Sequence, residues 1–399
     1  MRKCAILFLA LLTSIYLTGC WDTREINELG LVMAVGVDKS ESEEGGYRVS
    51  VQIAKPSEAG GGTAGGGGGS AVWIGAADGK TVFDAIRNIA KFSSRRVMWA
   101  HNNVIIIGEK LAREGITPVM DFFTHNPELR MKTWVAVTRG NAESIVAVNT
   151  GMEKIPAISI SRLYLYSELP AKSIKTDMVT VFRDYKSDTI QPVLSVLRLI
   201  TPEKSGTGSS QIELEGGAIF KEDKLIGFLS QDDARAMAWL RGQLGDSIVT
   251  VSIPGMQEKR ISVELRGINV DIKPEYDGER AKFNIALKGN GSIVEQDYPK
   301  EMKIEQFKAE VQKAVNERIK REIEAAVDKV QTEYNVDIIG LGRRFHIKYK
   351  SLWNSGLSKK WPELYSGASV NANCQINITN STLFQVPIYE ENIQGEGEQ

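Results

Sequence analysis

Residues 301–334 read EMKIEQFKAEVQKAVNERIKREIEAAVDKVQTEY. Apolar side chains recur there at every third or fourth position, the spacing of one face of an α-helix. They are Ile304, Phe307, Val311, Val315, Ile319, Ile323, Val327, Val330 and Tyr334. At 1.5 Å per residue this helix would be roughly 50 Å long. Successive spacings of four break a heptad register, so we expect packing on a sheet rather than in a coiled coil, although a helical partner stays open.

Predicted strands flank this helix on both sides. Apolar runs at residues 248–253, 261–265, 268–272 and 283–287 predict strands before it. After it, apolar residues from 370 to 378 alternate with Asn and Gln, which predicts an antiparallel strand with one solvated face. Further towards the N-terminus, we expect a hairpin at 217–228 and a short helix at 231–241.

The first half of the chain mixes strand and helix patterns, and between residues 155 and 216 the periodicity is weak. Strands are expected at 29–37, 47–53, 71–75, 103–107 and 133–137, and helices at 81–90, 109–113, 119–124 and 142–148. Residues 60–70 are almost all glycine, a composition typical of a connecting loop. The predicted fold class is α+β, with several small mixed α/β domains, mostly antiparallel or mixed sheets, and one long C-terminal amphipathic helix.

Composition shifts divide the 399-residue chain into segments. Ser, Gly and Thr dominate residues 201–210, which predicts a linker. We predict a removable signal segment at 1–19, an N-terminal domain at 20–200, a C-terminal domain at 211–390 with a further division near 245, and an acidic tail at 391–399.

The amino terminus has the pattern of a lipoprotein signal. Arg2 and Lys3 precede an apolar run at residues 4–17, which is too short to span a membrane but suits a secretory signal. The run ends in Leu-Thr-Gly-Cys, so we expect cleavage before Cys20 and attachment of diacylglycerol to its thiol, with an N-acyl chain as an open addition. An ordinary signal peptide with a chance cysteine is the alternative.

The charge and the cysteine content of the predicted mature chain bear on its partners and on disulfide formation. Removing residues 1–19 takes two of the 49 Lys and Arg, which leaves 47 against 50 Asp and Glu and a net charge near −3. This balance argues against nucleic acid as a partner. The chain has three cysteines; Cys4 leaves with the signal and Cys20 takes lipid, so no disulfide is expected for Cys374.

No motif predicts catalysis, a cofactor or a metal. Residues 75–81, GAADGKT, end like a phosphate-binding loop, but three residues rather than four separate the glycines, so we interpret them as a turn and a helix cap. His101, His125 and His346 are scattered without a second ligand at metal-binding spacing. His101 falls at the start of a predicted buried strand, where we expect a structural role. We therefore predict that the protein is not an enzyme.

Four blocks of sequence resemble the C-subunit lipoproteins of the nutrient germinant receptors of bacterial spores, the Ger(x)C family. The most specific block is GCWDTREINEL at residues 19–29. The others are WAHNNVIIIG at 99–108 with 121–123 and 128–130, GGAIF at 216–220 with KLIGFL at 224–229, and DIIGLG at 337–342 followed by Trp353 and Trp361. The chain has Asn380-Ser381 where similar proteins often have Thr-Gly.

This resemblance implies a peripheral, non-enzymatic subunit needed for nutrient-triggered germination. It would lie at the outer face of the spore inner membrane, with two integral membrane subunits of A and B type as partners. The residues just after the lipid are candidate contacts with these partners or with the membrane, and docking on their own domain is an equal alternative. These candidates are Trp21, Asp22, Arg24, Glu25 and Asn27.

Two rival functions and one further membrane contact remain open. A solute-binding lipoprotein of a transporter would show two similar α/β lobes around a hinge cleft, and a cell-wall enzyme would need a catalytic constellation. Trp353 and Trp361 lie in a basic stretch and could touch anionic headgroups, although core packing is favoured.

Overall fold

The computed structural model describes residues 28–55, 71–168, 170–206, 208–253, 260–295 and 302–379. The signal segment, the predicted lipid site, the glycine tract and the acidic tail lie outside these residues.

A nine-stranded mixed sheet organises the first part of the chain. Its strands are β1 (Leu29–Lys39), β2 (Tyr47–Ala54), β3 (Val72–Gly79), β4 (Arg96–Met98), β5 (Val104–Gly108), β6 (Trp134–Thr138), β7 (Val193–Ile200), β8 (Gln211–Lys221) and β9 (Lys224–Leu229). The spatial order is β3-β2-β1-β5-β6-β7-β8-β9, with β4 beside the start of β1. β1, β4, β5, β6 and β7 pair in parallel, whereas β2, β3, β8 and β9 join by antiparallel pairing.

Helices cover both faces of this sheet, which explains the continuous apolar runs in its central strands. In β5, Ile105 and Ile107 face one core, whereas Val104 and Ile106 face the other. The helices over the first core are α1 (Val82–Ala90), α2 (Glu109–Glu114), α3 (Thr117–Thr124) and α6 (Met178–Tyr185). Those over the second are α4 (Ala142–Val146) and α5 (Pro156–Tyr166).

A four-stranded sheet and the long helix form the second part. The strands are β10 (Ser247–Val251), β11 (Ile261–Tyr276), β12 (Ala281–Glu295) and β13 (Ser369–Thr379), in that spatial order. The helices are α8 (Gln231–Leu240), α9 (Ile304–Lys329), which continues as a π-helical turn (Val330–Tyr334), α10 (Leu341–Lys348), α11 (Lys350–Asn354) and α12 (Trp361–Ser366), with a 3₁₀ turn at Leu357–Lys360.

The sequence-based prediction of the long helix and of the α+β class is confirmed. Phe307, Val311, Val315 and Ile319 on the apolar face of α9 are fully buried against the second sheet. The sheet binds the helix by polar contacts as well, because the backbone N–H of Ile376 in β13 donates to the Asn316 side chain at 2.8 Å.

Two predictions of local structure are wrong. β13 pairs with β12 in parallel rather than antiparallel, because α9 to α12 form a crossover that returns the chain to the starting end of β12. The strands predicted at 261–265 and 268–272 are one strand, β11, with a register shift between Arg266 and Asn269. In the weakly periodic region, where the sequence predicted no elements, the chain forms α5, α6 and β7.

Residues 201–210 connect two neighbouring strands of the first sheet. The segment contains a single helical turn, α7 (Pro202–Ser205), and β7 and β8 pair on either side of it. Val193 and Ile219 of this sheet share one hydrophobic core with Trp239 and Phe307 of the second part. The domain boundaries predicted from composition stay predictions, whereas the sheet and the core continue across residue 210.

Candidate functional site

All six residues predicted to carry lipid or contact partners precede residue 28 and lie outside the described part of the chain. The described chain begins directly after these residues, at the start of β1. In the described residues, no helix is both long and apolar enough to cross a membrane.

The start of β1 lies at one edge of the first sheet, which we call the amino edge. Because β1, β5 and β6 are parallel, the loops that lead into β4, β5 and β6 meet at this edge. We define the amino edge as the start of β1 with residues 91–103 and 125–133. Leu29 pairs with Arg96 of β4 there. Residue 29 is nine positions after Cys20, so the two Cα atoms are at most about 30 Å apart.

A cleft of about 840 Å³ opens at the amino edge, between α1, α3 and the two loops. Phe83 and Phe122 supply apolar walls, and Arg87, Arg95 and Arg96 also line it. Phe83 is 52 % exposed, and neighbouring Phe92 is 55 % exposed. The Arg87 guanidinium lies 5.1 Å from the centre of the Phe83 ring, a cation–π arrangement.

Part of the second family block supports this cleft. Trp99 is buried, its backbone N–H donates to the Glu128 carboxylate at 3.1 Å, and its ring meets Phe123 edge-on at 5.9 Å. This block therefore holds the 91–103 and 125–133 loops together. His101 lies in an exposed turn, so the prediction that it begins a buried strand is wrong.

Six basic residues of the cleft and the amino edge were not singled out by the sequence analysis. For the five at residues 91–96 and 130–132, the sequence signal was the density of Lys and Arg in two short loops, whereas Arg87 lies in α1. None of the six forms an ion pair with another described residue. They are Arg87, Lys91, Arg95, Arg96, Arg130 and Lys132. Within the described structure, Nη1 of Arg95 is buried without a hydrogen-bond acceptor.

The fourth family block forms the junction between the two parts of the molecule. Both oxygens of the buried Asp337 carboxylate accept backbone N–H groups at the start of α10, and the donors are Ile339, Gly340, Leu341 and Gly342 at 2.7–3.1 Å. Burial is the largest influence on this carboxyl and raises its pKa, and the four donors act in the opposite direction. The Asp337 carbonyl accepts the N–H of Gln191, next to β7.

Arg241 and the third family block complete this junction. The Arg241 guanidinium donates to the buried Asp184 carboxylate at 2.7 Å and to the carbonyl of Ile338. Gly227 of β9 faces Tyr334, and a Cβ at position 227 would lie 2.3 Å from the tyrosine ring. The third and fourth blocks therefore pack the first sheet against the end of the long helix.

The structure gives the rejected motifs ordinary structural roles. Gly79 ends β3, and the Thr81 hydroxyl accepts the Asp84 N–H as the N-cap of α1, as the interpretation of a turn and cap predicted. Lys80 pairs with Glu44 at the surface. In the described residues, no group of three His, Cys, Asp or Glu side chains could hold a metal ion.

Trp353 and Trp361 pack in the core rather than at the surface. Each is 5 % exposed, and their ring centres lie 5.6 Å apart. Both contact Phe345 of α10, and His346 stacks on Trp353. The favoured prediction of core packing is confirmed, and the suggestion of headgroup contact is wrong.

We predict that the Cys374 thiol is nearly inert in the folded protein. Burial raises its pKa to about 12, so very little thiolate exists at pH 8. Native chain should react with a maleimide much more slowly than chain unfolded in guanidinium chloride. A Cys374→Ser variant of the lipidated chain is the control and should show no labelling. Equal rates in native and unfolded chain would contradict the raised pKa of this partly buried thiol.

Sequence comparisons identify the class of this protein in both halves of the chain. Residues 22–199 match the family described as "Spore germination protein N-terminal domain". Residues 215–382 match "Spore germination B3/ GerAC like, C-terminal". The chain belongs to this family of spore germination proteins.

Individual relatives match over almost the whole chain. The putative spore germination protein YfkR of Bacillus subtilis is 30 % identical over 370 residues, which cover 91 % of this chain and 93 % of the relative. Spore germination protein KC of the same organism is 27 % identical over 379 residues, covering 91 % and 92 %. The crystal structure of the GerBC protein is similar with a TM-score of 0.53 and 20 % identity, and covers 90 % of this chain and 100 % of its own. That likeness supports the fold.

Proposed function

We propose that this protein is the lipid-anchored C subunit of a nutrient germinant receptor and is needed for nutrient-triggered spore germination. It is held at the outer face of the spore inner membrane by diacylglycerol on Cys20. It acts without catalysis, with two integral membrane subunits as partners.

The observation that carries this proposal is the family match in both halves of the chain, at residues 22–199 and 215–382. The family is described by germination rather than by a chemical reaction. The signal-like sequence before Cys20 adds the anchor to the proposal, since neither the match nor the fold requires a lipid.

The architecture gives no support to the rival function of a solute-binding lipoprotein. That function predicts two similar lobes, but the first sheet has nine strands with five in parallel pairing, and the second has four strands packed on a long helix. The 840 Å³ cleft lies within the first part rather than between the two.

We expect Asp22→Ala and Arg24→Ala to weaken nutrient-triggered germination by lowering assembly with the membrane subunits. These residues follow Cys20 by two and four positions and lie outside the described cores, so we expect the thermal melt of the chain not to change. The measurements are the nutrient response of spores, co-purification of the membrane subunits, and melting of the purified variants. Glu41→Ala and Lys110→Ala, which remove an exposed ion pair far from the anchor, are matched controls.

Deletion of the whole protein separates a receptor role from a role in building the spore. Spores without it should lose the response to particular nutrients and keep their resistance and their response to receptor-independent triggers. A normal nutrient response after deletion would overturn the proposed function. Normal co-purification and response in both point variants would instead remove residues 22 and 24 from the contact surface.

A further inference from the structure

We propose that the amino edge of the first sheet lies against the membrane, with basic residues that have no ion-pair partner among the described residues on anionic lipid headgroups and its exposed apolar side chains at the interface. The proposal rests on the proposed function for one point, the lipid on Cys20. It goes further by assigning a face of the folded protein and a chemical class of partner.

The length of chain outside the described structure favours this edge. Nine residue steps join Cys20 to Leu29 and span at most about 30 Å when fully extended. β1 then runs from Leu29 to Lys39, so the opposite edge of the sheet is roughly 33 Å farther away. A lipid on Cys20 therefore holds the amino edge near the membrane, and only a fully extended tether turned back along β1 would bring the opposite edge to the same surface.

The two edges also differ in their ion pairs, and this difference again favours the amino edge as the membrane-facing one. At the opposite edge, which we call the carboxyl edge, exposed lysines face acidic partners. Lys39 pairs with Glu114, Lys80 with Glu44, and Lys110 with Glu41. At the amino edge, no described acidic residue pairs with Lys91, Arg95, Arg96, Arg130 or Lys132. Unneutralised Lys and Arg close to a membrane are attracted to anionic lipids.

The apolar side chains at the amino edge suit the same partner. Phe92 is 55 % exposed in the 91–103 loop, and Met131 is 39 % exposed between Arg130 and Lys132. Phe83, at the start of α1, lines the cleft that opens at this edge. Exposed apolar side chains beside Lys and Arg combine the two contributions, buried apolar area and attraction to anionic lipids, that hold a protein at the interface of a bilayer. Phe92 also contacts Trp73 at 6.0 Å between ring centres, which holds it at this edge.

The test places one fluorophore at each edge of the mature, lipidated chain. Ser94→Cys lies in the amino-edge loop, and Ser42→Cys lies in the loop between β1 and β2 at the carboxyl edge, and both positions are exposed. Each is made with Cys374→Ser and labelled with a bimane. The chain is reconstituted into vesicles of phosphatidylcholine, with or without phosphatidylglycerol, that contain a headgroup-nitroxide lipid as quencher.

We expect the label at residue 94 to be quenched several-fold more than the label at residue 42, and the difference to grow with phosphatidylglycerol and to shrink at high salt. The variant Lys91→Glu/Arg95→Glu/Arg96→Glu should lose the phosphatidylglycerol-dependent part of the quenching. The matched control, Lys39→Glu/Lys80→Glu/Lys110→Glu, makes the same charge change at the carboxyl edge and should keep it.

Equal quenching at the two positions, or stronger quenching at residue 42, would overturn the proposal. So would a triple reversal at the amino edge that quenches like the control. Pelleting of the same vesicles reports the lipid anchor separately, because chain that pellets without preferential quenching at residue 94 is anchored but not oriented. Chain that fails to pellet contradicts the proposed anchor on Cys20, on which the proposal depends.

Discussion

Replacement of Cys20 by alanine is expected to abolish both lipid attachment and stable membrane retention. In the proposed anchor the thiol of Cys20 accepts diacylglycerol, and the alanine side chain cannot replace it. One acyl chain gives only weak, reversible membrane binding, with an association constant of about 10⁴ M⁻¹, whereas two chains hold a protein stably. Loss of both chains should therefore move the protein from the pellet to the soluble fraction or leave an unprocessed precursor.

Incorporation of labelled palmitate measures the attachment, and sedimentation of membranes measures the retention. Cys374→Ser is the matched control, since it removes the cysteine of the second sheet and should leave labelling unchanged. Spores that carry Cys20→Ala should show a nutrient response close to that of the deletion. Palmitate labelling of the alanine variant at the level of the unmodified chain would remove Cys20 as the lipid site.

Replacement of Asp337 by alanine is expected to be among the most destabilising single changes in the described structure. Asp337 is 3 % exposed, and its carboxylate accepts four backbone N–H groups. Leaving buried donors without an acceptor costs about 1–3 kcal/mol each, so we expect the free energy of unfolding to fall by at least about 3 kcal/mol. The first turn of α10 and the contact with Gln191 would loosen together.

Two further variants make this prediction specific. Asp337→Asn keeps the volume and one acceptor oxygen, so it should fall between the native chain and the alanine variant. Asp277→Ala removes a carboxylate that accepts the N–H groups of Glu279 and Arg280 in an exposed turn, where water can replace it, and should hardly change the melting temperature. Denaturant unfolding of the purified chain measures all three. Similar unfolding midpoints for Asp337→Ala and Asp277→Ala would show that burial does not make the Asp337 contacts important.

The sequence predicted the elements whose pattern is strong and local. The 3.6-residue periodicity of residues 304–329 and the two-faced apolar run of β5 gave the right elements. The sequence pattern failed where tertiary contacts determine the secondary structure. In α5, apolar residues lie on both a buried and an exposed face, because Tyr164 is buried and Leu165 is 67 % exposed. The direction of β13 depends on a crossover of more than seventy residues, which no local window contains.

The candidate site was predictable only in part for the same reason. Cys20 and its neighbours stand out because a processing signal is a continuous stretch of sequence. The amino edge combines residues near 30, 95 and 130, which come together only through the parallel pairing of β1 with β4 and β5 and of β5 with β6. The roles of Asp337 and Gly227 likewise depend on contacts between distant segments. The sequence therefore placed both residues in family-like blocks but did not predict which contacts they make.

If the chain is exported and anchored as proposed, the pairing of β7 with β8 bears on how it acquires its structure. A polypeptide that leaves a secretion channel amino end first presents β7 with an open edge until residues 211–221 emerge. Such an edge is a template for pairing with other chains. Until then, anchored chains that gather on one membrane would be at risk of joining one another through β7. The short connection at residues 201–210 limits this exposure, because only ten residues must follow β7 before its partner strand arrives.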